Sequence, residues 1–315
     1  MSKNTISRTT KFPIIFAALS CRRVGKTGRQ LIKDIVYWFF YLQFQTRHRP
    51  KKRPVVSVDH PLDETIPFRS KDVRKYMFFI PLWMKSISFY WKNPGRKSVP
   101  DGTPVDRVAK TVEFLDELRL LYRNAGYVYN KCSSTTRRPG LIPHPVFLQI
   151  HFFDPHLHCI PSLHVSVVLF NYLKMRELLA EAATRPGEYD EEIEYCRRTA
   201  VEIIDTILTV KQHSINCVAA GLFFVNAYHP QFTEDECREI CRNLLSTVDE
   251  EVETLEAIRE YTLNLFEWFL AKHDKIENPE AGSESDARDV IVDFLKLYEA
   301  GERDLGGDKV ERNQA

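Results

Sequence analysis

Apolar residues recur at helical spacing along most of the 315-residue chain. Residues 28–46 fit one amphipathic helix, and 62–93 fit an aromatic-rich helix broken near Pro81. Between 108 and 126, Val112, Phe114, Leu115, Leu118, Leu120 and Leu121 stand among charges and predict another. Helices are also expected at about 145–153, 162–183 and 198–227. Thr233 with Glu236 reads as a capping box opening a helix through Leu245. Val252, Leu255, Ile258, Leu265, Phe266, Phe269 and Leu270 make a stripe interrupted at Thr262. Val290, Ile291, Phe294, Leu295 and Tyr298 predict a last short helix ended by Gly301. Alternation of β-branched residues is sparse, so the expected fold class is all-α.

Polar, Pro- and Gly-rich stretches punctuate this pattern at 47–54, 94–108, 130–145, within ATRPGEYDEE and within ENPEAGSESD. They suggest three parts: a basic N-terminal arm over 1–60, a helical core over 61–230 and an acidic helical extension over 231–315. No internal repeat is visible. The length suffices for one large core or two domains.

Charge sharpens the division. The net charge of +1 conceals 21 Lys/Arg against 5 Asp/Glu in residues 1–99, and 10 against 23 in residues 231–315. The basic front suits an anionic partner: acidic lipid head groups, nucleic acid or the chain's own acidic tail. It lacks a recognisable reader motif, so no specific nucleic-acid partner is expected.

No run of about 18 apolar residues marks a membrane span. The richest runs, DIVYWFFYLQF, MFFIPLWM and CVAAGLFFV, suit a soluble core, a membrane interface or weak spans. By themselves these runs leave soluble, surface-bound and embedded forms open. KFPIIFAALSC loosely imitates a lipoprotein signal, but the positive charges after it oppose translocation. The seven cysteines are odd in number and scattered, unlike a disulfide framework. Cys237 and Cys241 share a predicted helical face and read as buried thiols.

Three motifs stand in order: KCSSTTRRP, PSLH and TVKQHSINC. Together they contain the parts of a phosphoryl-transfer site that needs no metal. Lys131 and Arg138 can clamp phosphate oxygens. The Pro-Ser pair opens a helix whose free N–H groups and Ser162 hydroxyl suit an anion. Of His164 and His213, expected on separate helices, one can attack phosphorus while the other protonates the leaving oxygen. Lys211 adds a cation. The plainer readings are solvated loop charges for Lys131, Arg137 and Arg138, a simple N-cap for Ser162 and hydrogen-bonded core histidines.

The three motifs resemble those of the phosphatidic acid phosphatase type 2 superfamily, whose pattern is Lys-x6-Arg-Pro, Pro-Ser-Gly-His and Ser-Arg-x5-His-x3-Asp. CIPSLHVS, KQHSINCVAAG and the upstream DETIPF are similar to its membrane-bound, inositol-phosphorylceramide-synthase-like branch. The resemblance spans roughly residues 62–228. It implies an all-α helical bundle of the phosphatase/haloperoxidase type, here with an added C-terminal helical extension. It also implies that Lys131, Arg138 and Ser162 bind phosphate, that His164 is the general acid and that His213 is the nucleophile forming a phosphohistidine. A phosphate monoester or lipid phosphate would be the substrate, with a phosphate ester or anionic lipid as partner, and no cofactor is expected. The resemblance also implies membrane association, integral or peripheral, with a soluble cytoplasmic form as the alternative.

The chain departs from the family at two places. The orienting Asp is Cys217 here, a poor acceptor. Loss of the matching Asp in a Ser-His-Asp triad costs on the order of 10⁴ in rate. The Arg six residues before the nucleophile is Ile207. A catalytically degenerate relative that binds an anionic lipid or phosphate, or serves as an interaction scaffold, is therefore the alternative. His151, Asp154, His156, His158 and Cys159 are also metal-donor types at short spacing. No second ligand cluster supports them, so no metal is expected.

Overall fold

The computed structural model describes residues 5–48, 54–93, 106–140, 142–277, 286–303 and 305. The fold is all-α: 71% of it is helix and 3% strand. The helices are α1 (Phe12–Ser20), α2 (Arg22–Asp34), α3 (Leu42–His48), α4 (Val73–Tyr76), α5 (Phe79–Lys92), α6 (Arg107–Lys131), α7 (Pro145–Phe153), α8 (Leu163–Ala182), α9 (Asp190–Thr209), α10 (Ile215–Tyr228), α11 (Glu234–Arg242), α12 (Leu255–Glu277) and α13 (Ala287–Glu299).

The centre is α8, which is buried on nearly every side and packs against α5, α6, α9 and α10. Its one internal ammonium, Lys174, is 2% exposed. Three carboxylates hold it: Glu117 at 3.0 Å, Glu177 at 2.7 Å and Glu113 at 3.4 Å. The charges in the expected 108–126 helix thus have a partner inside, because α6 lays its glutamates along α8.

Residues 22–48 form one long helix interrupted by a π-helical segment, Ile35–Tyr41. Trp38 of that segment lies against Gly126 of α6, where a Cβ would stand 2.5 Å from the indole. The wider π turn sends Ile35, Phe39 and Phe40 inward and leaves Val36, Tyr37 and Tyr41 exposed.

Two short strands, β1 (Val55–Ser57) and β2 (Ser133–Thr135), pair in parallel with Val56 opposite Ser134. At three residues each they are too short to show an alternation in the sequence. Ser134 also receives Ile160 N–H on its Oγ at 2.7 Å and Cys159 N–H on its carbonyl at 3.1 Å, which fixes the loop entering α8.

Buried apolar residues from Ile6 to Tyr298 belong to one core, so both the basic arm and the acidic extension contribute to it. Phe223 of α10 stacks on Phe269 of α12 at 5.1 Å, and Asn216 bonds to both Tyr261 and Tyr298. The expected linker at 47–54 lies outside the described residues from 49 to 53. So do the turn-rich stretch from 94 to 105 and the linker from 278 to 285.

The expected helix over 198–227 is two helices. It breaks at 210–214, where Lys211 adopts φ +53° and the N–H groups of Gln212 and His213 both bond the Ile207 carbonyl. Among the described residues no helix is long and apolar enough to cross a membrane.

Candidate functional site

His164 and His213 meet. His164, in the first turn of α8, presents Nδ1 at 3.2 Å from Nε2 of His213. His213 sits on the α9–α10 turn, not on a helix as its sequence context suggests. That turn is held from below by the DETIPF segment. Asp63 accepts Ile215 N–H at 2.9 Å on Oδ1, and its carbonyl takes the Lys211 ammonium. Arg69 N–H bonds the Thr209 carbonyl at 2.8 Å. Burial pushes the Asp63 carboxyl up to about 6, against the pull of its backbone hydrogen bonds.

A glycine brings the two halves together. A Cβ on Gly221 of α10 would lie 2.8 Å from Val165, the residue after His164. Only glycine lets α10, which starts two residues beyond His213, approach α8 this closely. Aromatic rings then clamp His164: Tyr76 stacks on it at 4.1 Å and Phe79 packs at 4.2 Å. The aromatic density of 76–91 is the only sign of this wall in the sequence, and it does not show that the rings face His164.

The other predicted residues divide. Ser162 is buried and caps α8, its Oγ accepting Val165 N–H at 3.4 Å, so its visible task is structural. Arg138 lies close enough to the histidines to oppose their protonation, but its guanidinium is occupied. It donates to Asp154 Oδ2 at 2.9 Å and to the Asp154 carbonyl at 3.0 Å.

Lys131 is not brought to the histidine pair. It is exposed at the end of α6, and its ammonium lies 5.6 Å from the Tyr127 ring on the side facing α13. Lys211 is likewise spent on the Asp63 carbonyl. The expected phosphate clamp is therefore not assembled: helix α6 runs on to Lys131 and carries it to the α13 side, whereas Arg138 follows β2 inward.

Among the described residues no carboxylate takes the place of the orienting Asp beside His213. Cys217 is wholly buried, and burial drives its thiol well above the usual range. Asp205 accepts Leu245 N–H, Thr247 N–H and the Thr247 hydroxyl instead. Asn216 is used by Val58, Tyr261 and Tyr298. Beside the His213 ring the carbonyl of Cys159 favours the proton, although Nδ1 makes no well-aligned hydrogen bond. Ile207 serves the core, and its carbonyl braces the turn.

Three residues of the short-spaced donor set, His156, His158 and Cys159, line the site. His156, at φ +63°, shares a 2.7 Å hydrogen bond between Nε2 and Thr136 Oγ1. His158 stacks on Tyr129 at 4.1 Å. With Cys159, Asp154, His164 and His213 they enclose a space of about 10 Å³, room for roughly one water. Next to it lies a larger cavity of about 330 Å³, sharing Phe39, Asp154, Leu163 and His164 with the small one. Its walls are apolar and aromatic: Ile35, Phe40, Tyr76, Phe79, Tyr122 and Phe153 are among them.

Burial holds the site histidines neutral. It pushes His213 down to about 3 and His164 and His156 well below the usual imidazole range, with Arg138 adding to the effect in all three. Among the described residues no group of three or more His, Cys, Asp or Glu side chains is arranged to hold a metal.

Protein-family models, curated proteins and solved structures were each compared with this chain, and none matches it.

Proposed function

We propose that this protein acts on the phosphate ester of an apolar-tailed molecule, a lipid phosphate, by phosphoryl transfer through His213. The observation that carries the reading is the contact of His213 Nε2 with His164 Nδ1 at 3.2 Å, beside a cavity walled by apolar groups. A tail fits the cavity, and His164 and Asp154 mark the polar end where a head group would sit.

The chemistry follows from the neutral imidazoles. The lone pair of His213 attacks phosphorus, forming the N–P bond as the ester P–O bond breaks. An entering phosphate dianion favours protonation of His164, which then gives its proton to the leaving oxygen. Water, or a second alcohol, then attacks phosphorus and gives its proton to His164 as the N–P bond breaks, releasing phosphate or the new ester and returning His213.

A phosphorus held about 3–3.5 Å from the nucleophile, with its in-line leaving oxygen within about 3 Å of the acid, needs the two ring nitrogens on the order of 6–7 Å apart. The histidines thus part when substrate enters. Arg138 turns from Asp154 to phosphate in the same step.

The second reading is a lipid or phosphate binder without turnover. The closed Arg138–Asp154 pair and the Lys131 ammonium over Tyr127 leave no assembled phosphate clamp, which favours binding through the lipid tail. Assay of a lipid phosphate and a water-soluble phosphate ester, with vanadate titrated in melting experiments, separates the two. Turnover lost in His213→Ala and His164→Ala and kept in Cys217→Ser supports transfer. A vanadate-induced rise in Tm without turnover supports binding alone, and neither effect overturns both readings.

A further inference from the structure

Two short helices are apolar on the side that faces the protein and on the side that does not. In α1, Ile14 and Ala17 are buried, yet Phe12, Phe16 and Leu19 are 67%, 69% and 81% exposed. In α7, Phe147 and Ile150 are buried, while Phe152 and Phe153 are 75% and 55% exposed. An apolar helix ordinarily hides all its faces. Outward phenylalanines on two helices call for an apolar medium beside them.

These helices adjoin the elements that form the large cavity. Phe153 and Ile80 line it and are themselves exposed, so its rim is apolar. Helix α1 is fixed to α5, the helix carrying Ile80, by the Ile14 N–H bond to Ser88 Oγ at 3.1 Å.

A basic helix face lies on α2, which leads along the chain into the cavity wall. Arg22, Lys26, Arg29 and Lys33 recur at spacings of four, three and four on α2 and are all exposed. Among the described residues none of these four makes an ion pair, and α2 runs directly into the π-helical segment that lines the cavity. Apolar side chains beside unpaired cations are the chemistry of an anionic bilayer surface. No described helix can span it, so the contact is made from one side.

We infer that α1, α7 and the basic face of α2 dock this protein on the surface of an anionic lipid bilayer with the cavity rim at the acyl-chain boundary. The inference rests on the proposed function for the tail it would deliver, but the docking stands without any chemistry at the histidines.

The test is co-sedimentation of the full chain with vesicles of phosphatidylcholine alone and of phosphatidylcholine mixed with phosphatidylglycerol. Binding to the mixed vesicles is expected to be at least about tenfold tighter and to weaken with added salt. Lys26→Glu, Arg29→Glu and Lys33→Glu together should cut binding to mixed vesicles on the order of a hundredfold. Phe16→Ser with Leu19→Ser, and separately Leu148→Ser with Phe152→Ser, should weaken binding to both kinds while leaving Tm within a few degrees, since all four side chains, Leu148 of α7 included, are exposed.

The inference is overturned if the native chain binds neither vesicle, or binds with all these variants unimpaired. It is also overturned if Phe16→Ser with Leu19→Ser converts a dimer to a monomer, which would make a second copy the occupant of this face. Turnover of a water-soluble phosphate ester without vesicle binding would sink the docking and leave the proposed chemistry standing. Vesicle binding without any turnover would do the reverse.

Discussion

His156, His164, His213 and His229 are buried, and burial pushes each below the ordinary imidazole range, His213 to about 3 and His229 to about 4. An imidazole whose folded value is lowered binds fewer protons folded than unfolded, so its stability contribution is full above pH 6.5 and lost as pH falls. Asp63 and Asp205, raised to about 6, work the other way, favouring the fold below about pH 6. With His151 also lowered and Glu117 also raised by burial, five histidines stand against three carboxyls, and the histidines prevail. Urea unfolding at pH 7 and pH 4.5 should show a clear loss of stability at the lower pH, and His229→Gln should shrink that difference. A pH-independent midpoint would contradict the burial of these rings.

Asp154 and Arg138 allow a second measurement at this scale. The carboxylate occupies the fork that a phosphate would need, so Asp154→Asn should leave Arg138 available and strengthen vanadate binding by about tenfold or more. Arg138→Gln should abolish that gain. Equal vanadate affinity in all three chains would exclude Arg138 from the anion site.

At the scale of elements, the position of His213 depends on contacts outside its own motif. Gly221→Ala places a methyl group 2.8 Å from Val165 and forces α8 and α10 apart. It should cost about 1–3 kcal/mol by overpacking and reduce any turnover along with stability. Gly28→Ala, whose Cβ would find Ala18 no closer than 4.0 Å, is the control. It should stabilise the chain by up to about 1 kcal/mol through helix propensity. Asp63→Asn keeps the shape but weakens the bonds from His60 and Ile215 N–H groups, each about 1.5–3 kcal/mol to a charged acceptor. Melting curves order the three variants, and a Gly221→Ala chain as stable as the native one would mean that α8 and α10 are not so tightly packed.

Across the whole molecule, the helices at 145–153 and 163–182 were legible because apolar periodicity and a capping serine mark them. The meeting of His164 with His213 was legible as motif order. The break at 210–214 was not, because TVKQHS carries no Gly or Pro and the turn is stabilised by Asp63, some 150 residues earlier. Lys131 misled for a related reason: its motif spacing counts residues, whereas its direction depends on where α6 ends.

The acidic extension likewise read as an appendage but closes the core. Ile258, Leu265, Phe266, Phe269, Ile291, Phe294 and Leu295 are at most 1% exposed, and Asn216, three residues from His213, bonds Tyr261 and Tyr298. Burying each such side chain contributes about 1.5–3 kcal/mol. Seven of them exceed about 10 kcal/mol, comparable to the whole stability of an ordinary domain. A chain ending at residue 230 should therefore fail to fold, giving an expanded species by size exclusion and no cooperative melt. A cooperative melt from that fragment would mean that residues 61–230 form a self-sufficient core with α12 and α13 merely resting on it.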